Sequence, residues 1–225
     1  MAGKKSEALK KELPTQAVSV QEAVAWLKKH VQSKFDQTVE VTVRLGIDVS
    51  KSDQMVRSSV TLPEGSPKQK KVIVFTQDAA KQDAAKAAGA TIVGGTELID
   101  KIAKDGSIDA DLAIATPDMM PKIAKVARVL GPQGLMPNPK TGTVTPDPVV
   151  ALKELLAGKI SFKMDTLGNI HEPVAKLSWD EARIVKNIDA LLDAVVQARP
   201  STVKGQFVKG IYLKSTMSPA VTIAR

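Results

Sequence analysis

Apolar residues at positions 20, 23, 24, 27 and 31 fall on one helical face and predict an amphipathic helix over 20–31, with Trp26 packing beside that face. The period then changes to two. Val39, Val41, Val43, Leu45 and Ile47 alternate with Thr, Glu and Arg, as in a strand with one buried side. A second strand-like run, 55–62, ends in Pro63-Glu64-Gly65-Ser66-Pro67, a turn-rich stretch suited to a linker. Beyond it, short continuous apolar runs at 72–75, 91–93 and 112–115 alternate with helical patterns at 79–88, 97–104 and 121–130. Uninterrupted apolar strands separated by helices imply a parallel sheet covered on both faces.

After a loop at 131–145, residues 148–157 read as a helix closed by Gly158, followed by a strand at 159–164 and a turn at 165–169. A helix over 180–198 stops before Pro200, and Ser178, Asp180 and Glu181 suit its start. Two strands, 205–214 and 220–224, end the chain, while residues 4–12 form a charge-rich arm or short helix. The fold class is therefore α/β. Strand-and-helix content on both sides of the middle segment allows the two ends to form one domain interrupted by the other.

Composition narrows the chemistry. The chain has 225 residues, 43% hydrophobic and 25% charged, enough to bury a core without disulfide or metal support. With no cysteine, thiolate nucleophiles, iron–sulfur clusters and Cys-based zinc sites are excluded. A polar N-terminal segment and no run of membrane-spanning length point to a cytoplasmic protein. The formal net charge of +8 favours a polyanionic partner, and the excess is uneven: residues 66–156 contribute only +2 and the flanks +6.

Three segments carry candidate chemistry. In 203–219, Lys204, Lys209 and Lys214 lie in a stretch with no acid after Asp193, and Gly205 and Gly210 would let a backbone approach RNA closely. Phosphate contacts by the lysines compete here with ordinary lysine protection of an edge strand. The Ser-Thr-Met-Ser-Pro turn at 215–219 tips the balance toward function, because no strand requires it. In 34–40, Lys34 and Phe35 stand at a helix-to-strand junction, where Phe35 is either a packing group or a surface for an RNA base. The loop at 131–144 has the glycines of a phosphate cradle but not the P-loop order, and its three prolines remove donors. Lys140-Thr141-Gly142 and Ser201-Thr202-Val203-Lys204 imitate penicillin-recognising enzymes in the wrong order, Gly94-Gly95-Thr96 reads as a turn, and His30 and His171 have no metal-ligand spacing. No enzymatic site and no cofactor is expected.

Gly131-Pro132-Gln133-Gly134-Leu135-Met136-Pro137-Asn138-Pro139-Lys140 and Lys214-Ser215-Thr216-Met217-Ser218-Pro219 together resemble the two signature regions of the ribosomal protein L1 family, and the resemblance runs over essentially the whole chain. It implies two domains: a split α+β domain from both chain ends (1–66 plus 157–225) and an inserted Rossmann-like parallel-sheet domain (67–156). It further implies binding of large-subunit rRNA at the L1 stalk, assistance to deacylated tRNA leaving the exit site, repression of the protein's own mRNA, and a monomer when free. The RNA contacts it implies are Lys34, Phe35, Thr38, Glu40, Lys163, Asp165, Gly210, Thr216, Met217, Ser218 and Pro219, with Lys204, Lys209 and Lys214 supporting. Ser218 stands where the family usually has glycine.

Overall fold

A computed structural model describes residues 9–224 except Thr15, Gln32, Gln69 and Ser107, without the side chains of Ser52 and Lys140. Of the charge-rich start, 4–8 lie outside the described residues and 9–11 are helical. The chain separates into two compact units, Met1–Pro67 with Gly158–Arg225, and Lys68–Ala157.

In the split unit, helix α1 (Val20–Lys29) opens with a capping box in which Ser19 and Glu22 satisfy each other's backbone N–H groups. It buries Ala23, Val24 and Leu27 but ends before Val31, which is exposed rather than on the apolar face the spacing predicts. Trp26 stacks on His30 at 4.3 Å and donates to the Glu12 carbonyl, while His30 contacts the Trp26 carbonyl and the Glu12 carboxylate. His30 thus ties the helix end to the preceding segment.

Strand β1 (Thr38–Leu45) alternates as its sequence requires, with Val39, Val41, Val43 and Leu45 buried. It is flanked by β7 (Asn169–Lys176) and β8 (Val208–Ser215), and β9 (Val221–Ile223) completes an antiparallel sheet in the order β7-β1-β8-β9. Helices α1 and α7 (Glu181–Gln197) pack their apolar stripes on the inner face. β2 (Arg57–Thr61) and β6 (Lys159–Lys163) form a separate antiparallel pair.

β7 is absent from the periodicity reading because His171, Glu172 and Pro173 break its apolar pattern. As an edge strand it tolerates the proline. Its pairing with β1 slips between Ala175 and Pro173, leaving Val174 as the extra residue of a bulge. Asn187 of α7, fully buried, donates to the Val174 carbonyl at 2.8 Å and the Gly65 carbonyl at 3.1 Å, and accepts from the Glu64 N–H at 3.0 Å. Around it, Arg183 and Lys186 bond the Glu64 carboxylate, holding its pKa below the usual glutamate range. One side chain therefore closes the bulge and fixes the segment where the chain leaves the split unit. Nearby, Gly158 (φ 113°) is close enough to Gly65 that a Cβ would lie 2.7 Å from the Gly65 Cα. Only glycine fits there.

In the inserted unit, β3 (Val72–Phe75), β4 (Ile92–Gly94) and β5 (Leu112–Ala115) form a parallel sheet in the order β4-β3-β5. Ile73 and Phe75 face a core with α3 (Thr96–Asp105), and Val72 and Val74 face one with α2 (Ala79–Ala87) and α6 (Pro148–Leu156). Both faces are covered, which explains the continuous apolar runs. The helix predicted over 121–130 is instead two short α-helical turns, α4 (Met120–Ile123) and α5 (Ala127–Leu130), joined by a 3-10 turn. Met119, Ile123, Val126 and Leu130 all still reach the core.

Replacing Asn187 by leucine leaves one buried and two part-buried backbone groups without their partner. We expect a loss of about 2–3 kcal/mol in urea unfolding; a change within ~0.5 kcal/mol would show that the bulge and the Glu64–Gly65 segment hold without it.

Candidate RNA-binding face

The outer face of the four-stranded sheet follows from the same alternation that builds the core. Thr38, Glu40, Thr42 and Arg44 of β1 point away from the helices, as do Gly210, Tyr212 and Lys214 of β8, and none is buried. At one end of this face, β8 runs into a turn at Ser215–Ser218 that is bonded to the loop before β1. Gln37, only 2% exposed, is the bracket: its side-chain oxygen accepts from the Ser215 hydroxyl (2.8 Å) and the Met217 N–H (3.0 Å), and its amide donates to the Ser33 hydroxyl (2.8 Å). Ser33 in turn donates to the Phe35 carbonyl, and the Gln37 carbonyl accepts from the Leu177 N–H.

Two large apolar side chains project from this bracket into solvent. Phe35 is 53% exposed and Met217 59%. Of the two roles open to Phe35, core packing is therefore excluded. The Thr216 hydroxyl accepts from the Thr38 N–H at 3.2 Å, and Lys176 donates to the Thr38 hydroxyl. Ser218 needs no left-handed backbone, since no described residue other than glycine has positive φ, and its hydroxyl closes the turn by accepting from the Ser215 N–H at 2.8 Å. Pro219 follows, half-buried. The Ser218 side chain thus helps to hold the turn.

The remaining predicted residues lie partly beside this turn and partly at the far end of the sheet. Lys214 pairs with Glu40 at 2.9 Å across neighbouring strands, so each is the other's partner in the free protein. Lys204 and Lys209 are exposed, but they sit at the opposite end of β8 from Met217, Lys209 being roughly 20 Å along the strand from Thr216. Lys34 is exposed in the Ser33–Gln37 loop. Lys163 ends β6, and Asp165 begins the turn into β7, where the Gly168 carbonyl accepts from the Leu45 N–H at the far end of β1.

Asp165 accepts from the N–H groups of Asn169 (2.7 Å) and Leu167 (2.9 Å). The Asn169 N–H chiefly, helped by Leu167 and the Asn169 and His171 side chains, holds its pKa below the usual aspartate value. His171 lies between Asp165 (3.4 Å) and the Thr42 hydroxyl (3.1 Å). His171, for which the sequence leaves a structural or an RNA-contact role, belongs to this face. Tyr212, the chain's one tyrosine, and the bracketing role of Gln37 within the 34–40 segment are not singled out by the sequence.

In the inserted unit, the glycine-proline loop spends polar groups on its own backbone. Thr141 and Thr143 are buried and bond the Asn138 backbone, and 143–145 pairs with Ala115, so the glycine-proline loop closes on itself. Gly94 ends β4 and Gly95 caps α3, the turn expected of them. Among the described residues no group of His, Asp or Glu could hold a metal ion, and no helix is long and apolar enough to cross a membrane.

A family model described as the ribosomal protein L1p/L10e family matches residues 27–219, which include both the Gln37 bracket and the glycine-proline loop. The chain belongs to the ribosomal protein L1 family. It is 50% identical over 208 residues to the large ribosomal subunit protein uL1 of Persephonella marina, covering 91% of this chain and 86% of that one. To the large ribosomal subunit protein uL1 of Solibacter usitatus it is 45% identical over 221 residues, 98% and 93% of the two chains. Identity to the protein of the same name from Streptomyces avermitilis is 50% over 203 residues, 90% and 83%. The L1 family is one of ribosomal proteins, not of enzymes.

Gln37→Leu removes the acceptor shared by Ser215 and Met217, and should cost about 1–3 kcal/mol in chemical unfolding while the Met217 amide exchanges faster with solvent. Unchanged exchange at Met217 would show that the turn holds its shape alone. The lowered pKa of Asp165 means that its contribution to stability is fully present above the ordinary aspartate value, ~3.9, and is lost as pH falls through the lower value of the folded state. The stability gap between the protein and Asp165→Asn should therefore narrow in acid; a pH-independent gap would contradict this.

Proposed function

We propose that this protein is a structural constituent of the large ribosomal subunit that binds the rRNA of the L1 stalk through the split unit. The observation that carries this is the Gln37 bracket, which holds Thr216, Met217 and Phe35 in fixed relation at the edge of a polar sheet. A turn held by buried hydrogen bonds loses little conformational entropy on binding and fits one RNA shape better than others. Exposed lysines of the split unit, Lys34 beside the turn and Lys163, Lys204 and Lys209 toward the other end of the sheet, add salt-dependent affinity that any RNA shares.

The Lys214–Glu40 pair is exposed enough to exchange partners at small cost. Lys214 then turns to phosphate, and Glu40 accepts from a ribose 2′-hydroxyl or a base amino group, which distinguishes RNA from DNA. Asp165, a half-exposed carboxylate at the other end of the sheet, is suited to the same accepting role. Held at the stalk, the protein assists deacylated tRNA in leaving the exit site. It also represses translation of its own mRNA by binding an element with the shape of the rRNA site, acting as a monomer when free of the ribosome.

Thr216→Val removes the hydroxyl that bonds the Thr38 N–H and lies at the exposed turn. It should lower affinity for the stalk fragment of large-subunit rRNA roughly 10-fold, while affinity for an unrelated structured RNA changes less than about 2-fold. Equal losses on both RNAs would refute recognition by this turn. Repression is checked with a reporter carrying the protein's own mRNA leader: added protein should reduce its translation, and the Thr216→Val variant should not.

A further inference from the structure

The two groups of residues assigned to RNA lie at opposite ends of β1, and the middle of the outer face carries a row that joins them. His171 of β7, Thr42 of β1, Tyr212 of β8 and Thr222 of β9 stand in direct cross-strand register. The two rings flank a small threonine. Tyr212 is half-exposed, and its ring does not stand off the sheet: a Cβ placed on Gly210, two residues earlier on the same face, would lie 2.9 Å from the Tyr212 hydroxyl and 3.2 Å from two ring carbons. The ring therefore lies along its own strand, over Gly210.

A planar ring lying on an open sheet is a surface on which a base or ribose packs, whatever the base, since every base has a π-face. Arg44, exposed and in register with Gly210, is a basic residue on the neighbouring strand. On the other side Lys214 and Glu40 form the next row. The patch thus offers a stacking surface with charge on both flanks.

We infer that Tyr212 is a nucleotide-packing residue of the RNA-binding face, and that Gly210 acts through it as a positioning residue by leaving the space in which the ring lies flat. The resemblance to the L1 family makes Gly210 itself an RNA contact; here its role is to seat Tyr212. This rests on the stalk-binding function proposed above and extends it to the centre of the sheet.

The test compares affinity for the stalk rRNA fragment. Tyr212→Ser should bind about 10-fold more weakly, and Tyr212→Phe, which keeps the ring, should stay within about 2-fold of the unaltered protein. Gly210→Ala should fall with Tyr212→Ser, and the double variant should lose no more than either alone. Additive losses would mean that Gly210 contacts RNA independently, overturning the positioning role. Because Tyr212 is the only tyrosine, isotope-labelled tyrosine gives one set of ring signals in the unaltered protein, and an upfield shift on adding the fragment is expected. Ring signals that do not move, or Tyr212→Ser binding at full affinity, would overturn the inference while leaving the stalk-binding function standing. Failure of the unaltered protein to select the fragment would remove both.

Discussion

Everything on the candidate binding face depends on β1 pairing with two strands that lie more than a hundred residues further along the chain. β1 contributes the central row of outer residues, β7 and β8 the rows beside it, and without both neighbours neither face of the sheet exists. The chain ends must therefore meet, and residues 68–157 fold as a separate unit between them. Loop-closure entropy grows slowly with loop length, so an insertion of this size is tolerated where its two connections are held side by side. The β2–β6 pair, the Gly158–Gly65 approach and Asn187 supply that hold within the split unit.

The same long-range closure sets the turn. Gln37 bonds residues 178 and 180 positions away, and does so while almost fully buried. Such a bracket fixes Thr216 and Met217 before any partner arrives, so ordering the turn is charged to folding rather than to binding. By contrast the charges on the face are loosely committed. Lys214 and Glu40 are partly exposed and ion-paired with each other, an arrangement that holds little stability and leaves both groups exchangeable. Rigid shape and adaptable charge are thus divided between different residues.

Local periodicity made the buried elements legible. β1 and the three parallel strands declare themselves because burial on one face or both leaves a period in the sequence, and so do the helices with apolar stripes. β7 was illegible: at an edge, with a bulge and Pro173, it needs no regular alternation. Val31 kept the helical spacing but lay beyond the end of α1, where His30 turns back to Glu12. For the site, family resemblance and charge pointed to the Thr216 turn and to Phe35, yet Phe35 alone looked like a packing residue. Its exposure is set by Ser33 and Gln37, whose roles are invisible without the contacts they make. Lys204 and Lys209 are close to Thr216 in sequence and far along the strand from it, because an extended chain separates its residues quickly.

The most direct measurement of the central claim is the affinity of the purified protein for the stalk fragment of large-subunit rRNA, against an unrelated structured RNA, over a series of salt concentrations. Recognition of shape by a fixed turn predicts that selectivity for the stalk fragment survives as salt rises, while the shared, lysine-borne part of the affinity falls on both RNAs. Equal and equally salt-sensitive binding to the two would contradict it, leaving a basic surface with no particular RNA to fit.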